Sequence, residues 1–371
     1  MRPLLVAEQL RRRVPGGIGT YVRGLARETE GVTLWASRPP SGGGRAGPDP
    51  LVALGRPVVT SPLPGRALVW AWDRGWGWGP AAPPPGHDVV HAPSLAVPAA
   101  VGNTPLAVTV HDLAWRRVPE TFPARGRRWH EAALARALSR ASILLAPSRQ
   151  TADDLLAAGA APERVEVVDE GCDHLPAPDP EAAATLLRNL GVEADYLLSV
   201  STLEPRKNLP RLVAAYQAAR DRLPGRLPLV VAGPVGWGDE LGRTGPGAGV
   251  VLTGNVDGAV LAGLYAAAAA VVTVPLFEGY GLPAVEAMAC GAPVVASPQP
   301  SLGGAAYEVD PLDVDAIAAA LVRVSTDASL RADLVEAGRE RAATLTWAAA
   351  AARHQELWGS LSAGAPRGVR R

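Results

Sequence analysis

The sequence predicts an α/β protein built as two doubly wound, parallel-sheet domains. Three observations carry that expectation. Short β-branched runs alternate with alanine-rich helical segments along the chain, the pattern of repeated βαβ units. The chain has 371 residues, more than one ordinary core absorbs. A proline-rich run, His174-Leu175-Pro176-Ala177-Pro178-Asp179-Pro180, separates two such series.

In the first series, strands are expected at 4–7, 32–36, 89–91, 106–110, 143–146 and 165–168. Helices are expected at 127–140 and 151–158, the latter with Thr151-x-x-Asp154 as a capping box behind Ser148. In the second series, strands fall at 196–200, 229–232, 250–253, 271–274 and 294–296, with helices at 209–222, 282–289 and 314–324. Residues 259–277 carry no charge and imitate a membrane span. Their alanine-rich start and β-branched end before Pro275 instead read as a short helix feeding a buried strand. The domains are therefore expected at 1–173 and 174–346. Gly42-Gly43-Gly44 and Pro83-Pro84-Pro85 read as surface loops.

Composition narrows the function. Hydrophobic residues make up 48% and charged residues 19%, as in globular proteins. Acidic and basic residues balance at 36 each, so no global charge argues for nucleic acid. Two cysteines, Cys172 and Cys290, exclude a disulfide framework or a zinc cluster and fit a reducing cytoplasm. Trp70, Trp72, Trp76 and Trp78 crowd one glycine-rich stretch. Local packing and a platform for a sugar face or lipid edge both fit that cluster.

Three motifs carry chemistry. Pro15-Gly16-Gly17-Ile18-Gly19-Thr20-Tyr21 precedes a helix, where close-approaching amides and a helix N-terminus favour phosphate. A plain strand-to-helix turn fits it equally, and the G-x-G-x-x-G dinucleotide spacing is absent. In Glu204-Pro205-Arg206-Lys207-Asn208, Lys207 is the only lysine among 36 basic residues. Arginine is a planar fork and lysine a compact point charge on a flexible stem, suited to a pocket holding phosphate oxygens, so the two are not interchangeable. Arg206 and Lys207 between strand and helix suit a diphosphate leaving group; a solvated surface pair is the alternative.

The third motif, from Pro275 to Gly291, is the most specific. Glu278 closes a strand, Gly279, Tyr280 and Gly281 form a tight loop, and Leu282 and Pro283 open a helix. Glu286 lies one turn into that helix. Two carboxylates and several amides then surround one cavity, where carboxylates suit sugar or ribose hydroxyls.

Taken together, Glu278-x7-Glu286, the Glu-Pro-Arg-Lys-Asn run and the Gly-Gly-x-Gly loop resemble the retaining GT-B glycosyltransferases of family 4. The likeness spans nearly the whole chain. It includes Val110-His111-Asp112-Leu113, Pro119-Glu120-Thr121-Phe122-Pro123, Ala232-Gly233-Pro234, Thr253-Gly254-Asn255-Val256 and Cys290-Gly291-Ala292-Pro293. The Arg-Lys-Asn form is most similar to a branch rich in mannosyltransferases. The resemblance implies two Rossmann-like domains facing across a cleft that holds the donor. It also implies a C-terminal helix from Trp347, within 347–371, crossing back to the first domain before a disordered tail.

By the same resemblance, Arg206 and Lys207 bind the donor diphosphate, with amides at Gly17 and Gly19. Glu278 and the loop Gly279, Tyr280, Gly281 and Leu282 hold the sugar, and Glu286 holds the ribose. Gly254, Asn255 and Val256 lie near the base. His111, Glu278 and Lys207 are the catalytic candidates, His111 beside the transferred sugar. The implied reaction moves a hexose, mannose first, from a nucleotide diphosphate sugar such as GDP-mannose to a hydroxyl of a glycan or glycolipid, with retention. No metal or other cofactor is implied, and Asp313-x-Asp315 reads as a helix cap. A cytoplasmic enzyme in peripheral contact with the inner face of a membrane fits this picture. A GT-B sugar phosphorylase, a nucleotide-sugar epimerase and a non-catalytic nucleotide-sugar-binding partner are the alternatives. Three departures from the family stand out: Ser201-Thr202, the connector Asp169-Glu170-Gly171-Cys172-Asp173, and a shortened segment after Ser297.

Overall fold

Strands that are apolar at every position bury both faces, which demands helices above and below a parallel sheet. The computed structural model describes residues 1–12, 14–39, 49–99, 102–193, 195–236 and 247–364. The glycine run at 42–44 and the tail from 365 lie outside them.

In the first half, β1 (Pro3–Val6), β2 (Thr33–Ala36), β3 (Val58–Thr60), β4 (Val89–Ala92), β5 (Leu106–Thr109), β6 (Ile143–Ala146) and β7 (Val165–Val167) form one sheet in the order β3-β2-β1-β4-β5-β6-β7. All its pairs are parallel. In the second half, β8 (Leu197–Val200), β9 (Leu229–Ala232), β10 (Val250–Gly254), β11 (Ala270–Thr273), β12 (Val294–Ala296) and β13 (Tyr307–Glu308) form another, in the order β10-β9-β8-β11-β12-β13. It too is parallel throughout. Leu197 and Val272 go to one packing layer of this sheet, and their neighbours Leu198 and Val271 to the other.

β3 and β13 escaped the sequence reading. They are edge strands of three and two residues, too short for a run or an alternation to stand out. Trp70 and Trp72, from the glycine-rich tryptophan stretch, lie on the helix Gly65–Asp73. The capping box is also displaced. Ser148 itself caps the helix Arg149–Ala157, its hydroxyl accepting from the Thr151 amide at 3.2 Å. The uncharged stretch resolves into the helix Gly258–Ala267 and the strand β11, and among the described residues no helix is long and apolar enough to cross a membrane.

The chain divides into two units. One holds Met1–Leu113, Pro123–Gly171 and the segment from Trp347; the other holds Ala114–Phe122 and Cys172–Thr346. Cys172 lies in the second unit's core and its amide donates to Leu345 O at 2.9 Å, so that unit begins two residues before His174. Within the first unit, the helix Trp347–Gly364 packs against the helix Gly16–Glu28. Gly24 makes room for the Trp347 indole, which any side chain at that position would strike.

Candidate active site

Each sheet reverses its strand order at one point, between β1 and β4 in the first and between β8 and β11 in the second. Loops leaving the carboxyl ends of those strands diverge, and open α/β sheets bind ligands at such a point. The chemically interesting side chains collect at both.

In the second unit, β8 leads through residues 201–204 into the 3-10 turn Pro205–Lys207 and the helix Leu209–Ala219. Asn208 makes the corner in left-handed geometry, φ 60°, and its amide group donates to Val274 O at 3.0 Å and Pro311 O at 2.7 Å. That anchor fixes the two residues before it. Arg206 Nη1 lies 2.9 Å from Glu278 Oε2 and donates to Phe277 O at 2.9 Å, while Nη2 donates to Glu204 Oε1 at 2.9 Å. Lys207 Nζ bonds the other Glu278 oxygen.

One carboxylate therefore carries both cations. Burial pushes the Glu278 carboxyl up, but Arg206 and then Lys207 outweigh it and bring it to about 2. At Glu204 burial wins over the same two cations, and its pKa is raised. The alternative of a solvated surface pair is excluded, because these side chains are mostly buried.

The loop after Glu278 is shaped by Gly281, φ 107°, where any side chain would strike Gln299 and Ser301. Ser301 Oγ donates to Gly281 O at 3.2 Å and the Ser301 amide to Tyr280 O at 3.2 Å. The shortened segment after Ser297 thus forms the floor of this loop, and no helix occurs before β13. Gly279, Tyr280, Gly281 and Leu282 share the loop with Glu278. Tyr280 and Leu282 bury their side chains in the core, so they face a ligand only through backbone.

Glu286 lies on the helix Leu282–Ala289 and is buried. Its Oε1 is 3.0 Å from His174 Nε2, and its Oε2 accepts from the Tyr265 hydroxyl at 2.9 Å. Gly254 ends the edge strand β10 at φ 68° and accepts the Gly233 amide at 2.9 Å. Asn255 is exposed and Val256 half-buried beside it, two strands from the switch point. Asp313 caps the helix Val314–Thr326, accepting from the Ala316 amide at 2.9 Å.

In the first unit, the glycines do not form a loop ahead of a helix. The helix Gly16–Glu28 already contains Gly16, Gly17 and Gly19. The Gly19 amide is spent on Pro15 O at 3.2 Å, and a side chain at Gly19 would strike Pro15. Gly19 therefore serves packing rather than anion contact. Gly17 is exposed in the first turn, where amides have no acceptor within the helix.

His111 follows β5. Its Nδ1 is 3.0 Å from Glu170 Oε1 and its Nε2 is 2.9 Å from Pro93 O. Two acceptors face the two ring nitrogens, which calls for a proton on each, the imidazolium form. Burial opposes that charge, but Glu170, the Pro93 carbonyl and Asp112 outweigh it and raise the pKa. The Tyr21 ring meets the His111 ring edge-on at 4.9 Å.

Behind Tyr21 runs a buried chain. Its hydroxyl is 2.7 Å from His354 Nε2 and 2.8 Å from Thr109 Oγ1, which in turn lies 2.8 Å from His91 Nε2. His354 Nδ1 donates to Ala350 O at 2.7 Å, so Nε2 accepts from Tyr21. Burial lowers His354 to about 4 and takes His91 well below its ordinary value, so both rings are neutral.

Comparison with known proteins now has a geometry to explain. The model "Glycosyltransferase Family 4" matches residues 15–174 and "Glycosyl transferases group 1" matches residues 194–327. O-antigen chain mannosyltransferase B of Escherichia coli is 32% identical over 271 residues, 70% of this chain and 71% of that protein. D-inositol 3-phosphate glycosyltransferase of Salinispora arenicola is 32% identical over 275 residues, 66% of this chain and 61% of that protein. The Anabaena HepE structure in complex with UDP and glucose superposes with a TM-score of 0.74 at 19% identity, covering 97% of this chain and 100% of that one. Sucrose-phosphate synthase of Thermosynechococcus elongatus gives 0.72 at 20% identity, covering 98% of this chain and 100% of that one. The fold is GT-B. The chain belongs to the family 4, group 1 glycosyltransferases.

Four participants escaped sequence reasoning as site residues. Glu170 lies 59 positions from His111, and His174 and Tyr265 reach Glu286 from a connector and from another helix. Glu204 stood inside a recognised motif without a role. The first three carry no local signal, because their pairings are made only by the fold, whereas Glu204 pairs with Arg206 two positions away, a signal the motif itself held.

Proposed function

We propose that this glycosyltransferase takes a hexose, mannose first, from a nucleotide diphosphate sugar, GDP-mannose first, and transfers it with retention to a hydroxyl of a glycan or glycolipid. The observation that carries the reading is Glu278, one carboxylate shared by Arg206 and Lys207 at the second switch point. A diphosphate competes with Glu278 for these cations. As it takes them over, Glu278 is released to accept hydrogen bonds from sugar hydroxyls. Donor arrival and sugar orientation thereby become one event.

In the transfer, the bond between C1 and the phosphate oxygen breaks on the face where the bond from C1 to the acceptor oxygen forms. The acceptor proton passes to the departing phosphate. Charge grows on that phosphate in the transition state, where Arg206 and Lys207 stabilise it most. Glu286, oriented by His174 and Tyr265, holds the ribose. His111, as an imidazolium with one N–H on Glu170, can turn the other from Pro93 O to a sugar hydroxyl, and is no candidate base. The mannosyl preference has the support of the E. coli relative.

A melting-temperature panel of GDP, UDP, dTDP and ADP tests the donor. The recognised diphosphate at about 100 times its dissociation constant stabilises the protein by roughly 2.7 kcal/mol. NMR of the product from GDP-mannose reads the anomeric configuration. No shift with any of the four, or an inverted product, refutes the proposal.

A further inference from the structure

The tryptophan cluster has resolved into two parts. Trp72 is buried against Trp35 and donates from Nε1 to Ala81 O at 2.9 Å, which accounts for it as packing. Trp70, Trp76 and Trp78 remain outside, the last with 72% of its surface in solvent. Trp70 and Trp76 meet edge to face at 5.0 Å, and Trp76 and Trp78 lie 6.4 Å apart. The exposed Arg74 guanidinium stacks 3.9 Å from the Trp70 centroid. Isolated exposed apolar residues need no account, but three contiguous indoles do.

The neighbouring element adds charge. The helix Ala124–Arg140 is joined to this cluster at Asp73, which accepts from Trp129 Nε1 at 2.9 Å and pairs with Arg136. That helix holds five arginines against one glutamate. Arg125, Arg127 and Arg128 are exposed in its opening turns, where the helix's own partial positive charge disfavours cations and the first turn holds no acidic residue. An excess of exposed cations at that end points to an anionic partner. The partner's chemistry follows from the parts: indoles favour the half-apolar layer at a bilayer surface, and arginines favour lipid phosphates.

We infer that Trp70, Trp76 and Trp78 with Arg74 and the exposed Arg125, Arg127 and Arg128 form a docking surface for an anionic lipid bilayer. A sugar-stacking platform fits less well. Arg74 covers a face of Trp70, and the edge-to-face packing of Trp70 with Trp76 leaves no flat pair of open rings. The surface is independent of which sugar is transferred.

Flotation of the full chain with vesicles of phosphatidylcholine, alone or mixed with phosphatidylglycerol, tests it. The wild-type protein should float with the mixed vesicles, hardly with the neutral ones, and less as salt rises. Trp76→Ser with Trp78→Ser should weaken binding by roughly tenfold or more. Arg125→Gln with Arg128→Gln should weaken it by roughly twenty-fivefold, about fivefold per charge. Both variants should transfer normally to a water-soluble acceptor, which shows that they fold. Equal flotation on both vesicle types, or on neither, overturns the inference, as does a tryptophan variant that floats like wild type. Loss of transfer to the soluble acceptor with intact flotation would assign the indoles to sugar. A change in the oligomeric state of lipid-free protein would assign them to a second copy.

Discussion

The two switch points hold buried charge by different chemistry. In the second unit Glu278 meets two fixed cations and its carboxyl is held at about 2. In the first unit Glu170 meets a histidine, whose pKa it raises against the opposing effect of burial. His91 and His354, buried as neutral rings nearby, do not share the task. The difference teaches a division of labour. The two cations on Glu278 are permanent charges, while the charge on His111 is one that pH can change.

The strongest way to break the comparison is Glu278→Gln. It leaves Arg206 and Lys207 facing a neutral amide in a mostly buried cluster, and loss of one partner of such a cluster costs about 3–5 kcal/mol. Denaturant melts read this directly; a loss below about 1 kcal/mol would mean that the cluster behaves as surface pairs. Wild-type protein has a matching acid limit. Glu278 has a depressed pKa, so its stabilisation is present above the ordinary value of 4.5 and is lost as pH falls toward about 2. His111 runs the other way: its contribution is full below the ordinary 6.5 and fades as pH rises through its raised value.

Lys207→Ala comes next. It should lower kcat by about 100- to 1000-fold, more than it raises donor KM, because the contact strengthens in the transition state. Lys207→Arg should recover only part of that loss. Since Lys207 also bonds Glu278 and leaves Arg206 in place, the alanine variant should lose about 1.5–3 kcal/mol of stability. An arginine variant with wild-type kinetics would make the single lysine an accident of composition.

Much of this was legible in the sequence, and the limits have physical causes. Buried parallel strands announce themselves as β-branched runs, so eleven expected strands have counterparts in the two sheets. The Arg206–Lys207 and Glu278–Glu286 segments both lie between strand and helix, but Glu278 does not close a strand: β11 ends at Thr273 and Glu278 follows in the loop before the helix Leu282–Ala289. What stayed hidden is pairing across distance. Nothing in the residues 201–208 says that Glu278, 71 positions on, already occupies both cations. Gly19 looked like an anion contact because a glycine chosen for packing and one chosen for its amide share one letter. Gly24 gave no hint that it makes room for Trp347.

Smaller effects sharpen the first-unit half. Glu170→Gln keeps a hydrogen-bonding oxygen but removes the charge that raises His111, so the titration of the His111 ring, followed by NMR, should move to lower pH. The alkaline limb of the transfer profile should move with it, while the acid limit governed by Glu278 stays. An unmoved histidine titration would show that Pro93 O alone sets it. Smallest of all, excess chelator should leave transfer unchanged, since the two cations supply the charge that a divalent ion would otherwise bring. Complete loss with EDTA, restored by manganese, contradicts that assignment.

The competition between Glu278 and a diphosphate for Arg206 and Lys207 is the centre of the account, and calorimetric binding of a nucleoside diphosphate without its sugar tests it most directly. The diphosphate that best raises the melting temperature is titrated into wild type, Lys207→Ala and Glu278→Gln. Removing a cation should weaken binding. Removing the competing carboxylate should tighten it, because the ligand no longer has to displace Glu278. Equal or weaker binding to Glu278→Gln would mean that the diphosphate does not take over these cations, and the account would fail at its core.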